Sequence, residues 1–124
     1  MTRHLLRIFL LTAFVFAAVQ SPAFAANTER VEVVNETGRT IVALECVGVR
    51  SQWNGKDLLG GNVLHNGKHM NINYDPRTQY FKLRIFFEDG KSVTWNKIDF
   101  NDAWRLTLYR SQDGKYKYSK NARG

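Results

Sequence analysis

The chain has 124 residues, 44% hydrophobic and 13% aromatic, with 18 Lys and Arg against 11 Asp and Glu and a formal net charge of +7. That length suits a single domain with one modest core. Cys46 is the only cysteine, which excludes a disulfide framework within the chain and leaves packing to hold the domain.

The first 25 residues read as a secretory signal peptide. Arg3 and Arg7 form a positive start, Ile8 to Val19 an apolar run interrupted only by Thr12, and Pro22-Ala23-Phe24-Ala25 a small-residue cleavage site. The apolar run is shorter than the ~20 residues of a membrane span. No paired arginines mark the twin-arginine route, and no cysteine near the site could accept lipid. The expectation is cleavage after Ala25 and export to the periplasm or beyond, with no membrane span after cleavage. Cleavage removes Arg3 and Arg7, so the net charge falls from +7 to +5 on 99 residues (124 less 25).

Residues 26–124 then form a single domain whose short β-rich runs alternate with turn residues, without repeats, linkers or low-complexity segments. Val31 to Val34 is a strand leading into the turn Asn35-Glu36-Thr37-Gly38, and Ile41 to Val47 is the next strand. Cys46 lies inside that apolar run and reads as a small buried hydrophobe.

Gly48 to Gly61, GVRSQWNGKDLLGG, has the glycines and lysine of a phosphate loop but not their spacing. Six residues separate Gly48 from Gly55, and Asp57 follows Lys56 where a nucleotide loop needs a hydroxyl. Leu58 and Leu59 read instead as a plug at one end of the domain, with Gly60-Gly61 turning the chain beneath them. The pattern Asn35-x-Thr37-Gly38-x-Thr40-Ile41-x-x-Leu44, Trp53-x-x-x-Asp57-Leu58-Leu59-Gly60, Leu64-x-x-Gly67 and then Arg84 to Gly90 resembles a group of small uncharacterised exported bacterial proteins. The resemblance covers roughly residues 33 to 108 and implies an all-β fold without implying an activity.

His65 and His69 stand four apart, but Asn66-Gly67 between them is a hairpin signal that sends the two rings to opposite faces, so no metal site is expected. Met70, Ile72 and Tyr74 alternate with His69, Asn71 and Asn73 as a half-buried strand. Phe81, Leu83, Ile85 and Phe87 alternate with Tyr80, Lys82, Arg84 and Phe86 in the strongest strand signal of the chain. A three-residue loop, Glu88-Asp89-Gly90, would set Val93 opposite Ile85 and Trp95 opposite Leu83 and keep the apolar residues on one face, which a two-residue loop would not. Gln112-Asp113-Gly114 has the same form and sets Leu108 opposite Tyr118. Asp57 to Gly60 and Asn101 to Trp104 could each hold one helical turn. Asp99 to Asp102 lacks the ligand alternation and glycine of a calcium loop. The expected fold is an all-β antiparallel β-sandwich of about seven short strands, frayed after about residue 118.

No catalytic set is legible, no cofactor is implied, and the protein is not expected to be an enzyme. Nucleic acid is excluded as a partner by the expected export. The readings that remain are a non-catalytic binding or interaction module of the cell envelope, or its sharper form, a binder of anionic envelope polymers through a basic face. Lys82, Arg84, Lys115 and Lys117 are the candidate anionic-ligand contacts, with Lys120 and Arg123 nearby. An enzyme with an unrecognised site is the third reading, and an unidentified protein partner is the alternative to a polymer. An inhibitor of lysozyme-like enzymes fits the size, but its basic charge opposes a basic enzyme. Exposed aromatics among Trp53, Trp95, Trp104 and the tyrosines could stack on sugars, although rings in so small a domain more often form the core.

Overall fold

The computed structural model describes residues 28–122, so the expected leader, its cleavage site and Arg123 lie outside the described residues. Seven strands follow one another: β1 (Glu29–Glu36), β2 (Ile41–Gly48), β3 (His69–Tyr74), β4 (Tyr80–Phe87), β5 (Ser92–Asp99), β6 (Ala103–Arg110) and β7 (Tyr116–Ala122). They form a sandwich of two sheets, β3-β1-β6-β7 (sheet A) and β2-β4-β5 (sheet B). β7 keeps its pairing with β6 out to Ala122, past the expected end of regular structure near 118.

One pairing departs from the antiparallel expectation. β1 and β6, the two inner strands of sheet A, run parallel, with Val33 beside Leu106 and Asn35 beside Leu108. Strand alternation is the same whichever way a neighbour runs, so it carries no information on this pairing. Parallel neighbours need a long connection, and here the intervening chain passes through β2, β3, β4 and β5. The two places expected to hold a helical turn are plain turns. Asp57 accepts from the Gly60 amide, and Asp102 takes a positive φ of 62° just before β6 begins at Ala103.

Both hairpin registers are as the apolar alternation requires. Ile85 pairs with Val93 and Leu83 with Trp95. The Phe87 amide donates to the Lys91 oxygen at 2.9 Å, and Gly90 closes the loop at φ 86°, a conformation that burdens any residue with a Cβ. Leu108 faces Tyr118 across the β6–β7 hairpin. A bulge in β5 then lets Ile98, rather than Lys97, meet Phe81, which keeps the end of the strand in phase with the core.

The inward residues are Val31, Val33, Leu44, Leu83, Ile85, Phe87, Leu106 and Leu108, closed at one end by Phe81 and Phe100. Those two rings stack at 4.3 Å, and Tyr74 meets both edge-on. Each such side chain stabilises the fold by about 1.5–3 kcal/mol through burial. Val93 and Trp95 are only partly buried, because β5 is an edge strand. Trp95 meets Tyr118 of β7, the edge of the facing sheet, at 6.2 Å. Cys46 is half-buried on the inner side, and burial pushes its thiol up to about 12.

The segment between β2 and β3 seals an edge. An open β2 would present unpaired backbone groups to other chains. Instead Ile41 and Leu64 exchange both backbone hydrogen bonds, at 3.0 and 2.8 Å. Leu44 donates to Asp57 Oδ1 at 3.0 Å and accepts from the Leu58 amide at 2.7 Å. Leu59 is buried and Leu58 packs against the core, along the edge of β2 rather than as a plug at one end, and Gly60 and Gly61 both take positive φ to turn the chain away.

Candidate ligand-binding face

Side chains that alternate with the core of sheet A build its outer surface. Asn71, Glu32, Arg105 and Asn121 lie in register as one row across all four strands, and Asn73 and Arg30 pair beside them. β6 carries a bulge here, because Ala103 pairs with Ala122 while Arg105 already pairs with Asn121. The extra residue is Trp104. A bulge re-aims a side chain, and this one leaves Trp104 and Arg105 together on the outer surface, with Trp104 40% exposed.

The pair is fixed in place. The Arg105 guanidinium lies 4.2 Å from the centre of the Trp104 ring, and its Nε donates to Glu32 Oε1 at 2.8 Å. His69 Nε2 stands 3.9 Å from the other oxygen of Glu32. Trp104 forms one wall of a groove of about 720 Å³ whose remaining lining is Thr28, Glu29, Arg30, Glu32, Asn71 and Asn73.

The outer surface of sheet B is different in kind. Trp53, in the loop after β2, lies 4.1 Å from the Arg84 guanidinium and 4.9 Å from Lys82 Nζ, and the Phe86 ring lies 5.5 Å from Arg84. Arg84 donates to Glu45 Oε1 through Nη2 at 2.6 Å and through Nε at 3.2 Å. The Glu45 side chain is only 11% exposed. An ion pair held this way is satisfied internally, and its charge is not presented to a polymer.

The four basic residues expected to meet an anionic ligand therefore do not form one patch. Lys82 and Arg84 project from β4 in sheet B. Lys117 projects from β7 in sheet A, on the opposite side of the sandwich, and Lys115 stands at the head of the β6–β7 hairpin. Strand alternation shows that a side chain points outward but not from which sheet. Lys117 lies 3.9 Å from Asp113, and Lys120 donates to the Asp99 carbonyl at 3.1 Å.

The remaining polar features have local roles. His65 Nδ1 is 3.3 Å from the Thr40 hydroxyl while His69 faces Glu32, so the rings serve different neighbours. Among the described residues, no group of three His, Cys, Asp or Glu side chains could hold a metal ion. Asp99 accepts from the Asn101 amide at 2.8 Å and shapes the turn before β6. Burial alone would raise the Asp57 carboxyl, but amides of Leu44, Leu59 and Gly61 outweigh it and hold it below the usual carboxylate range. Asp75 is drawn down to about 2 by the guanidinium and then the amide of Arg77.

Glu32, Asn71, Asn73, Trp104 and Arg105 were not legible as a group. The alternation around Met70 and Ile72 marks Asn71 and Asn73 as outward, and the sequence Val31-Glu32-Val33 does the same for Glu32. Their convergence depends on the β1–β6 pairing and on the bulge, and neither leaves a local signal. Glu45 did leave one, as the only charged residue in the run Ile41 to Val49. The chain matches no family model, no curated protein and no solved structure.

Proposed function

We propose that this protein is an exported, non-catalytic binding module of the cell envelope and that it meets its ligand through the outer face of sheet A. The observation that carries the reading is the groove beside Trp104, where an exposed indole is held against Arg105 and bordered by exposed polar side chains. The outer face of sheet B supports it by contrast, since its basic residues are engaged with Trp53 and Glu45.

A pulldown against purified peptidoglycan, lipopolysaccharide and neutral glycans tests the reading. Asn71→Lys with Asn73→Lys should abolish retention on the polymer that binds, and Thr94→Lys, on the outer side of β5, should leave it unchanged. Absence of retention on every polymer, or loss of retention only with Thr94→Lys, would reject it. A second reading, an anionic polymer as ligand, is favoured by Arg110, Lys115 and Lys117 sharing the β6–β7 hairpin. Retention that collapses at high salt and on Lys115→Glu with Lys117→Glu would favour this second reading.

A further inference from the structure

Resting on the reading of sheet A as the binding face, we infer that the Trp104 groove takes an uncharged, hydroxyl-rich sugar ring of a polysaccharide. Three features of the groove select this chemistry. The first is its charge. In the lining Arg30 is outnumbered by Glu29 and Glu32, and the neighbouring Arg105 is bonded to Glu32, so the groove offers no surplus positive field to a polyanion.

The second is the platform. One side of the Trp104 ring carries the Arg105 guanidinium, which orients the indole, and the residue as a whole is 40% exposed. An exposed ring of this kind offers an apolar surface to the C–H face of a sugar. The third is the pair of amides. Asn71 and Asn73 are exposed, stand two positions apart on one face of β3, and so lie about 7 Å from each other. Each side-chain amide can both donate and accept, as hydroxyls do.

The test is calorimetric titration of the full mature protein with three neutral oligosaccharide series: β-1,4-linked N-acetylglucosamine, β-1,4-linked glucose and α-1,4-linked glucose. Saturable binding of at least one series is expected, with less than a twofold change in affinity between low and high salt. Trp104→Ala should weaken it tenfold or more, Trp104→Tyr by less, and Trp53→Phe not at all. Asn73→Ala should weaken it severalfold, and it leaves the ring in place should the Trp104 variants alter folding. Failure of all three series to bind would overturn the sugar assignment, as would binding indifferent to both Trp104→Ala and Asn73→Ala. If envelope polymer is still retained and is lost with Asn71→Lys and Asn73→Lys, the binding face stands and only the ligand class falls. If polymer retention is absent as well, both fall together.

Discussion

Asn35 Nδ2 donates to the backbone oxygen of Leu64 at 2.9 Å, joining the end of β1 to a segment 29 positions away. The same amide nitrogen donates to the Arg39 oxygen at 2.7 Å, and Oδ1 accepts from the amide and hydroxyl of Thr37. Asn35 is fully buried, and its own backbone exchanges hydrogen bonds with Lys68 and Gly67. Asn35→Ala should strand several buried partners and destabilise the protein by about 2–4 kcal/mol in urea unfolding. Asn35→Asp should be comparably harmful, because a carboxylate would face two carbonyl oxygens. A loss below about 0.5 kcal/mol in either variant would show that this junction does not hold the fold.

Asp57 closes the edge of β2 through the amides of Leu44, Leu59 and Gly61. Its carboxyl is held below the ordinary value, so the stability it adds is fully present above about pH 4, the unfolded-state value. That stability is lost as pH falls through the lower folded-state value. Asp57→Ala should cost about 1–3 kcal/mol at neutral pH. The gap in melting temperature between wild type and Asp57→Asn should narrow on acidification below about pH 4. A gap that stays constant or widens there would refute the assignment.

Much of this was open to a reader of the sequence. The pattern Asn35-x-Thr37-Gly38, Asp57-Leu58-Leu59-Gly60 and Leu64 stood out, and its residues shape the β1–β2 turn and seal the edge of β2. The hairpin at Glu88-Asp89-Gly90 was fixed by the cost of turning Val93 and Trp95 outward, away from Ile85 and Leu83. Sheet membership was not legible, because Lys82 and Lys117 look alike when only inward and outward can be told apart. The parallel β1–β6 pairing was hidden for the same reason, and the groove beside Trp104 was hidden with it.

Ile85 is completely buried, and Ile85→Ala should cost about 2–5 kcal/mol. Lys82→Ala, on the outer side of the same strand, should cost no more than about 1 kcal/mol, for loss of its contact with Trp53. The reverse ranking in urea melts would contradict the register of β4.

Arg84 and Glu45 should be strongly coupled. Removing Arg84 leaves the little-exposed Glu45 carboxylate without its partner, at a cost of about 3 kcal/mol, whereas removing both should cost less than the sum of the single changes. A double-mutant cycle measures this coupling, and strict additivity would show that the pair is not formed in solution.

Cys46 should be inert while the protein is folded, since burial keeps its thiol protonated up to about pH 12. A disulfide-exchange reagent at mildly alkaline pH should label the native protein at least about a hundredfold more slowly than the urea-unfolded chain. Comparable rates would place the thiol at the surface.

The binding face itself is best tested by amide chemical-shift mapping of the isotope-labelled protein with soluble fragments of whichever envelope polymer retains it. The largest shifts should fall on Arg30, Glu32, Asn71, Asn73, Trp104 and Arg105, with β4 and hairpin residues 111–117 unmoved. Shifts concentrated instead on Glu45, Lys82 and Arg84, or on Lys115 and Lys117, would contradict the assignment of sheet A as the ligand-binding surface.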